Sequence, residues 1–85
     1  MTIHVTPRFI KSYKKLPTRI QSAAEERRKL FIENPFNPQL KTHKLQGKNH
    51  ECWSFWVTRE YRIKFIFLQE KEILFLDIGT HDIYQ

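Results

Sequence analysis

The sequence predicts a single α+β domain in which a two-helix hairpin packs on one face of an antiparallel β-sheet. Two successive patterns of apolar residues along the chain predict this fold. After a short β-prone start, apolar residues up to about residue 33 recur at steps of three or four, which is typical of helices. From Leu40 onward they alternate with polar residues, which is typical of half-buried strands. The chain has 85 residues and no internal repeat, linker or low-complexity tract, so residues 1–85 are expected to form one domain.

The N-terminal part is predicted to contain one strand and two helices. Residues 2–5 form the strand, and Thr6-Pro7 marks the start of a helix, because threonine caps free N–H groups and proline tolerates the first helical position. Pro17 interrupts the helical pattern. A second helix follows over residues 18–33, and two prolines within residues 34–38 end it.

The second part of the chain is predicted to form three strands in a meander. Alternating residues run over 53–58 and 61–68, and a third apolar run covers 72–78. Glu70-Lys71 is a plausible hairpin turn, and Gly79 ends the last strand. Short links between consecutive strands favour antiparallel pairing.

The alternation also assigns the two faces of this sheet. The face toward the helices is expected to carry Trp53, Phe55, Tyr61, Ile63 and Phe65. The opposite face is expected to carry Ser54, Trp56, Arg62 and Lys64. This second face is expected to be open, aromatic and positively charged, and therefore suited to a phosphate backbone with a stacked base.

The net charge of +6 is concentrated at one end of the chain. Residues 1–50 carry +8 and residues 51–85 carry −2. This asymmetry favours a polyanionic partner such as nucleic acid, although a solvated basic helix face would give the same count.

Composition excludes several other classes of protein. Seven Phe, three Tyr and two Trp exclude a disordered chain. The apolar runs are too short to cross a bilayer, so no membrane partner is expected, and no secretory signal is evident. A single cysteine, Cys52, excludes an internal disulfide and a thiolate zinc cage. Together these observations predict a cytoplasmic protein.

The residues that could carry chemistry suggest a reaction without metal or cofactor. The four histidines lack the close helical spacing of a zinc site, and glycine-rich phosphate loops and nucleophile elbows are absent. RNA supplies its own nucleophile, the 2′-hydroxyl, and its cleavage needs a base, an acid and a cation. His81, after the last strand, and Arg62, on the open face, fit the acid and the cation. Taken alone, His81 could equally be a surface histidine, and Arg62 a cross-strand ion-pair partner.

Four ordered segments carry a resemblance to a known family. They are Leu45-Gln46-Gly47, Trp53-Ser54-Phe55, Glu60-Tyr61-Arg62-Ile63 and Ile78-Gly79-Thr80-His81-Asp82-Ile83-Tyr84. In this order they resemble the RelE/ParE superfamily, the toxins of type II toxin–antitoxin pairs, and the likeness spans nearly the whole chain. Its YafQ- and YoeB-type branch looks most similar.

The resemblance implies a RelE-like fold and, in the RNase branch, metal-free cleavage of mRNA in the ribosomal A site. His81 would be the general acid, Arg62 would stabilise the phosphorane, and Tyr84 would stack on or orient the substrate. Where YafQ-like toxins place a second histidine, this chain has Trp56. Glu60 and His43 therefore both remain candidates for the base.

The resemblance also implies partners and alternatives. Lys41, Lys44, Lys48 and Lys64 loosely match a lysine cluster that would hold RNA, with Trp56 as a further RNA contact. A cognate antitoxin is the expected protein partner, in a toxin–antitoxin hetero-oligomer. The same fold would also serve a ParE-like inhibitor of DNA gyrase or an inactive antitoxin-binding member, so fold alone does not separate these functions.

Overall fold

The computed structural model describes residues 1–47 and 51–84 and has the predicted α+β architecture. Two helices, α1 (Pro7–Lys14) and α2 (Thr18–Glu33), follow the first strand, β1 (Thr2–Val5). Four strands come after them: β2 (His43–Lys44), β3 (Trp53–Trp56), β4 (Arg62–Phe67) and β5 (Glu72–Gly79). Two short 3-10 helices cover Pro38–Leu40 and His81–Tyr84.

The sheet has the strand order β1-β5-β4-β3-β2. The predicted meander is confirmed, since β3, β4 and β5 pair antiparallel. Two features go beyond the prediction. β1 pairs parallel to β5 and forms one edge of the sheet, and the two-residue β2 adds an antiparallel edge beside β3.

The predicted helix boundaries are confirmed by their capping geometry. The Thr6 hydroxyl accepts a hydrogen bond from the backbone N–H of Phe9 at 3.0 Å, so Thr6 is the N-cap and Pro7 the first residue of α1. α2 begins directly after Pro17 and ends at Glu33, before the proline-containing segment. Neither helix of the described chain is long and apolar enough to cross a bilayer.

The core lies between the helices and one face of the sheet, as the alternation predicts. Phe31 of α2 is fully buried, and its ring lies 4.8 Å from Phe55, 5.0 Å from Phe65 and 5.6 Å from Phe75, centroid to centroid. Trp53, Tyr61 and the fully buried Ile63 also pack on this side. These aromatic rings pack against one another and join α2 to the sheet.

A β-bulge interrupts the pairing of β4 with β5. Lys64 pairs with Asp77 and Phe65 with Phe75, which leaves Leu76 as an extra residue in β5. The bulge places the Asp77 carboxylate in a largely buried position against α1, where it accepts hydrogen bonds from Arg8 Nε at 3.0 Å and Ser12 Oγ at 2.7 Å. A long-range polar contact therefore fixes α1 against β5.

Candidate functional site

The sheet face opposite the helices, called the outer face below, carries two rows of polar side chains. One row follows the register His43–Ser54–Lys64 across β2, β3 and β4. The second row follows Trp56–Arg62 and ends opposite Gly79. Directly opposite residues in antiparallel strands project to the same side and lie within contact distance, so the register brings these side chains together.

The last 3-10 helix, His81–Tyr84, folds back over the outer face. The Tyr84 hydroxyl and the Ser54 hydroxyl are 2.5 Å apart, and Lys64 Nζ donates to the Ile83 carbonyl oxygen at 3.3 Å. Ser54 is 0% exposed as a result. The expectation of an open outer face is therefore wrong at Ser54, because the segment after β5 covers it.

Gly79 makes this covering possible. A Cβ atom at this position would lie 2.8 Å from Cγ2 of Ile83, closer than real Cβ contacts allow. The absent side chain thus lets the last 3-10 helix lie directly on the end of β5.

Arg62 is held by two contacts and retains one unpaired donor. Its guanidinium carbon lies 4.4 Å from the centroid of the Trp56 ring, a cation–π contact, and Nη2 donates to the Arg59 carbonyl at 2.9 Å. Nε is buried and has no hydrogen-bond partner within the part of the chain that the structure describes. An unpaired buried N–H costs free energy, so Arg62 is held in this position at the expense of one unmade hydrogen bond.

His81 lies beside Tyr84, and His43 lies on β2, next to the strand that carries Ser54. The rings of His81 and Tyr84 are 5.0 Å apart, centroid to centroid, at 69° to each other, and His81 is exposed to solvent. His43 Nδ1 lies 2.9 Å from the carbonyl oxygen of Lys41. Because a carbonyl only accepts, Nδ1 carries the hydrogen, and Nε2 is the basic nitrogen of the neutral ring. His43 therefore presents a tautomer suited to accepting a proton.

Glu60 is less closely connected to this group. It is exposed in the loop between β3 and β4, where its backbone N–H donates to the Thr58 hydroxyl at 3.3 Å. Within the described residues, no hydrogen bond or ion pair joins its carboxylate to Arg62 or to either histidine.

The predicted RNA-binding residues are divided among different surfaces. Lys64 and Trp56 lie on the outer face, and one side of the Trp56 ring is occupied by Arg62. Lys44 pairs in register with Trp53 and therefore lies on the helix-facing side of the sheet. Lys41 is exposed in the turn before β2, and its backbone is in the left-handed region, with φ of 54°. Lys48 lies outside the described residues.

Two residues of the site have roles that the sequence does not predict. The sequence places Ser54 on the outer face without a role and Gly79 at the end of a strand. The signal for Ser54 is a small polar residue between two large aromatic residues, Trp53 and Phe55, where a side chain from elsewhere can lie close. Among the described residues, no three His, Cys, Asp or Glu side chains are grouped as metal ligands would be.

Comparison with known proteins gives matches in structure only. No protein-family model matches the chain, and no curated protein matches it. The structure is similar to that of YafQ from E. coli strain BL21(DE3), with a TM-score of 0.79 and 22% sequence identity over 98% of this chain and 96% of that one.

Two further structures show the same likeness. A YoeB/ParE toxin from Agrobacterium tumefaciens gives a TM-score of 0.79 at 18% identity, over 95% of this chain and 99% of that one. YafQ in the E. coli DinJ–YafQ toxin–antitoxin complex gives a TM-score of 0.76 at 22% identity, over 96% of this chain and 93% of that one. The resemblance predicted from the sequence is thus confirmed for the fold, and this chain has the RelE-like fold of the YafQ- and YoeB-type toxins.

Proposed function

We propose that this protein is the toxin of a toxin–antitoxin pair and that it cleaves ribosome-bound mRNA at the outer face. One observation carries the proposal: the strand register and the Ser54–Tyr84 hydrogen bond bring the segments of His43 and His81 to the same face. His43 pairs in register with Ser54, Ser54 bonds Tyr84, and the Tyr84 ring contacts His81. Cleavage through the 2′-hydroxyl requires a base and an acid on one cationic surface.

The proposed reaction proceeds in one displacement at phosphorus. His43 Nε2 takes the proton of the 2′-hydroxyl, the 2′-oxygen bonds the adjacent phosphorus, and the bond from phosphorus to the 5′-oxygen breaks. Protonated His81 gives its proton to that departing 5′-oxygen. The products are a 2′,3′-cyclic phosphate and a 5′-hydroxyl. We place His43 before Glu60 as the base, because its tautomer is fixed and it shares the outer face.

The cations of the outer face have separate roles in this scheme. Arg62 stabilises the charge that develops on the phosphorane oxygens, since its guanidinium is a cation on the outer face. Lys64 holds the last 3-10 helix through Ile83 and adds positive charge beneath the substrate. Tyr84 orients His81 through the contact between their rings.

The test is cleavage of ribosome-bound mRNA by purified protein, read by primer extension. Wild type is expected to cut, and His81→Ala to cut about 10²–10⁴-fold more slowly, the usual contribution of a general acid. His4→Ala is the matched control, because His4 is a half-exposed histidine on β1, bonded to Glu72 at 2.9 Å. The proposal would be contradicted if the wild-type protein left the mRNA intact. It would also be contradicted if wild type and His81→Ala cleaved the mRNA at equal rates. Inhibition of gyrase supercoiling with intact mRNA would favour the ParE-like alternative.

The proposal includes an antitoxin partner, as in the DinJ–YafQ and YoeB–YefM complexes. The supporting feature is an apolar groove of about 330 Å³ beside edge strand β1, lined in part by Ile3, Val5 and Phe9 and by Ile10 of α1. Val5 and Ile10 are each more than 40% exposed, and the outer edge of β1 is free to pair. Co-expression with the product of the neighbouring gene should restore growth and yield a co-purifying complex; toxicity unchanged by that product would exclude it as the antitoxin.

A further inference from the structure

Helix α1 carries a line of positive charge that the proposed cleavage chemistry does not use. Between Thr6 and Pro17 the chain has four cations and no acidic residue. Three of these cations, Arg8, Lys11 and Lys15, are called the basic ridge here. Their spacing of three and four residues places them along one side of the helix, over about 10 Å.

The basic ridge borders an open, polar concavity. Arg8, Lys11 and Lys15 line it together with Pro7 and Ser12, and its volume is about 470 Å³. The fourth cation, Lys14, lies elsewhere, beside the apolar groove on the other side of α1. Three positive side chains thus converge on one polar surface.

Arg8 is held in place for binding an anion. The buried carboxylate of Asp77 accepts from Nε of Arg8, while the Arg8 side chain is 79% exposed. No other described residue bonds the two terminal nitrogens, and these form the fork that binds two phosphate oxygens at once. Because Asp77 holds Arg8 at Nε, less conformational entropy is lost when this fork binds a phosphate.

The basic ridge and the outer face lie on opposite sides of the sheet. Asp77 pairs in register with Lys64, but its carboxylate faces α1 and holds Arg8, whereas Lys64 contacts Ile83 on the outer face. An RNA bound at the basic ridge is therefore separate from a strand bound at the outer face.

We propose that the basic ridge binds the phosphate backbone of double-stranded RNA and so docks the protein on structured RNA, apart from the strand that is cleaved. The concavity contains no aromatic side chain, so it offers nothing on which unpaired bases could stack. Duplex RNA is recognised through phosphate contacts and shape, which need only cations at a suitable spacing. The inference rests on the proposed function in taking RNA as the target.

The test measures binding of a fluorescently labelled RNA duplex by anisotropy at several salt concentrations. All variants carry His81→Ala, so that cleavage of the RNA is slowed during the measurement. Lys11→Gln/Lys15→Gln removes two ridge charges and leaves the Arg8–Asp77 pair intact. We expect about tenfold weaker binding and a salt slope smaller by about 1.8, the value for two lost phosphate contacts.

Arg19→Gln/Lys29→Gln is the matched control, because it removes the same charge from exposed positions of α2. It should retain most of the affinity. Equal losses in both double variants would show a general charge effect and overturn the proposal. Binding of poly-glutamate that depends on the ridge, with unchanged RNA affinity, would also overturn it, in favour of an acidic protein.

The two proposals can fail separately. Ridge-dependent duplex binding by a protein that cuts no mRNA would support the basic ridge and refute the nuclease. Cleavage of mRNA with duplex binding unaffected by the ridge variants would refute the basic ridge and leave the nuclease.

Discussion

At the scale of single residues, the hydroxyl pair of Ser54 and Tyr84 determines how the outer face is built. Ser54 is the only fully buried polar side chain among the described residues, and its partner comes from a segment 30 positions later in the chain. A buried hydroxyl without a partner is costly, so this bond holds the last 3-10 helix, and with it His81, against the sheet.

A double-mutant cycle should show the coupling of these two hydroxyls. Tyr84→Phe leaves Ser54 Oγ buried and unpaired, which we expect to cost about 1–3 kcal/mol of unfolding free energy in urea. Ser54→Ala/Tyr84→Phe removes both hydroxyls and should recover part of that loss. If the effects of the single changes simply add, the two side chains are not coupled and the bond does not hold the segment.

Residue types on the outer face could be predicted from the sequence, but their contacts could not. Alternation places Arg62 and Lys64 on the side away from the helices, and the structure agrees. The contact of Arg62 with Trp56 follows from strand register, which the alternation does not fix. The cover over Ser54 depends on the path of the chain after Gly79, which no local pattern determines.

At the scale of elements, the close approach of β5 and the last 3-10 helix depends on Gly79. We expect Gly79→Ala to displace this helix, because the new Cβ meets Cγ2 of Ile83 at 2.8 Å. Cleavage should fall, and the NMR resonances of residues 81–84 should shift, while the unfolding free energy changes by about 1–3 kcal/mol. Gly79→Ala/Ile83→Ala removes the clashing methyl group and should restore the resonance positions. Unchanged resonances in Gly79→Ala would show that the contact between position 79 and Ile83 does not determine where the last 3-10 helix lies.

The elements with local signals were predicted well, and the others were missed. Thr6, Pro7 and Pro17 act on their own neighbours, so both helix starts are evident from the sequence. Strand β2 has only two residues, too few to show alternation. The bulge at Leu76 places Asp77 against Arg8 and Ser12, about 65–69 residues away in sequence, and such a contact leaves no periodic signal.

At the scale of the whole molecule, stability depends on a small aromatic core. Phe31 is the ring that joins α2 to three strands of the sheet. Phe31→Ala should cost about 3–5 kcal/mol, out of roughly 4–13 kcal/mol expected for a domain of this length. Phe36→Ala is the matched control, since Phe36 is 53% exposed, and should cost about 1 kcal/mol in urea denaturation. Equal urea concentrations at the midpoint of unfolding for Phe31→Ala and Phe36→Ala would contradict this account of the core.

Charge divides the molecule into surfaces with different expected partners. The apolar groove beside β1 suits a protein segment, while the outer face and the basic ridge suit RNA. The excess of cations over residues 1–50 is evident from the sequence. The division of the α1 cations between the basic ridge and Lys14 is not, because it depends on which side of the helix packs against β5.

The parallel pairing of β1 with β5 has a consequence for how the chain folds. The first strand has no neighbour in the sheet until residues 72–79 have been synthesised, and the Thr6 hydroxyl bonds a carbonyl 70 positions later. Contacts of such high sequence separation slow the folding of small domains, since a long loop must close before they form. During synthesis, therefore, the helical hairpin is complete before the strands on which it packs, and the rings of Phe9 and Phe31 are still exposed to water. A binding partner or chaperone that shields the hairpin at that stage would be protecting the chain from aggregation before the outer face exists.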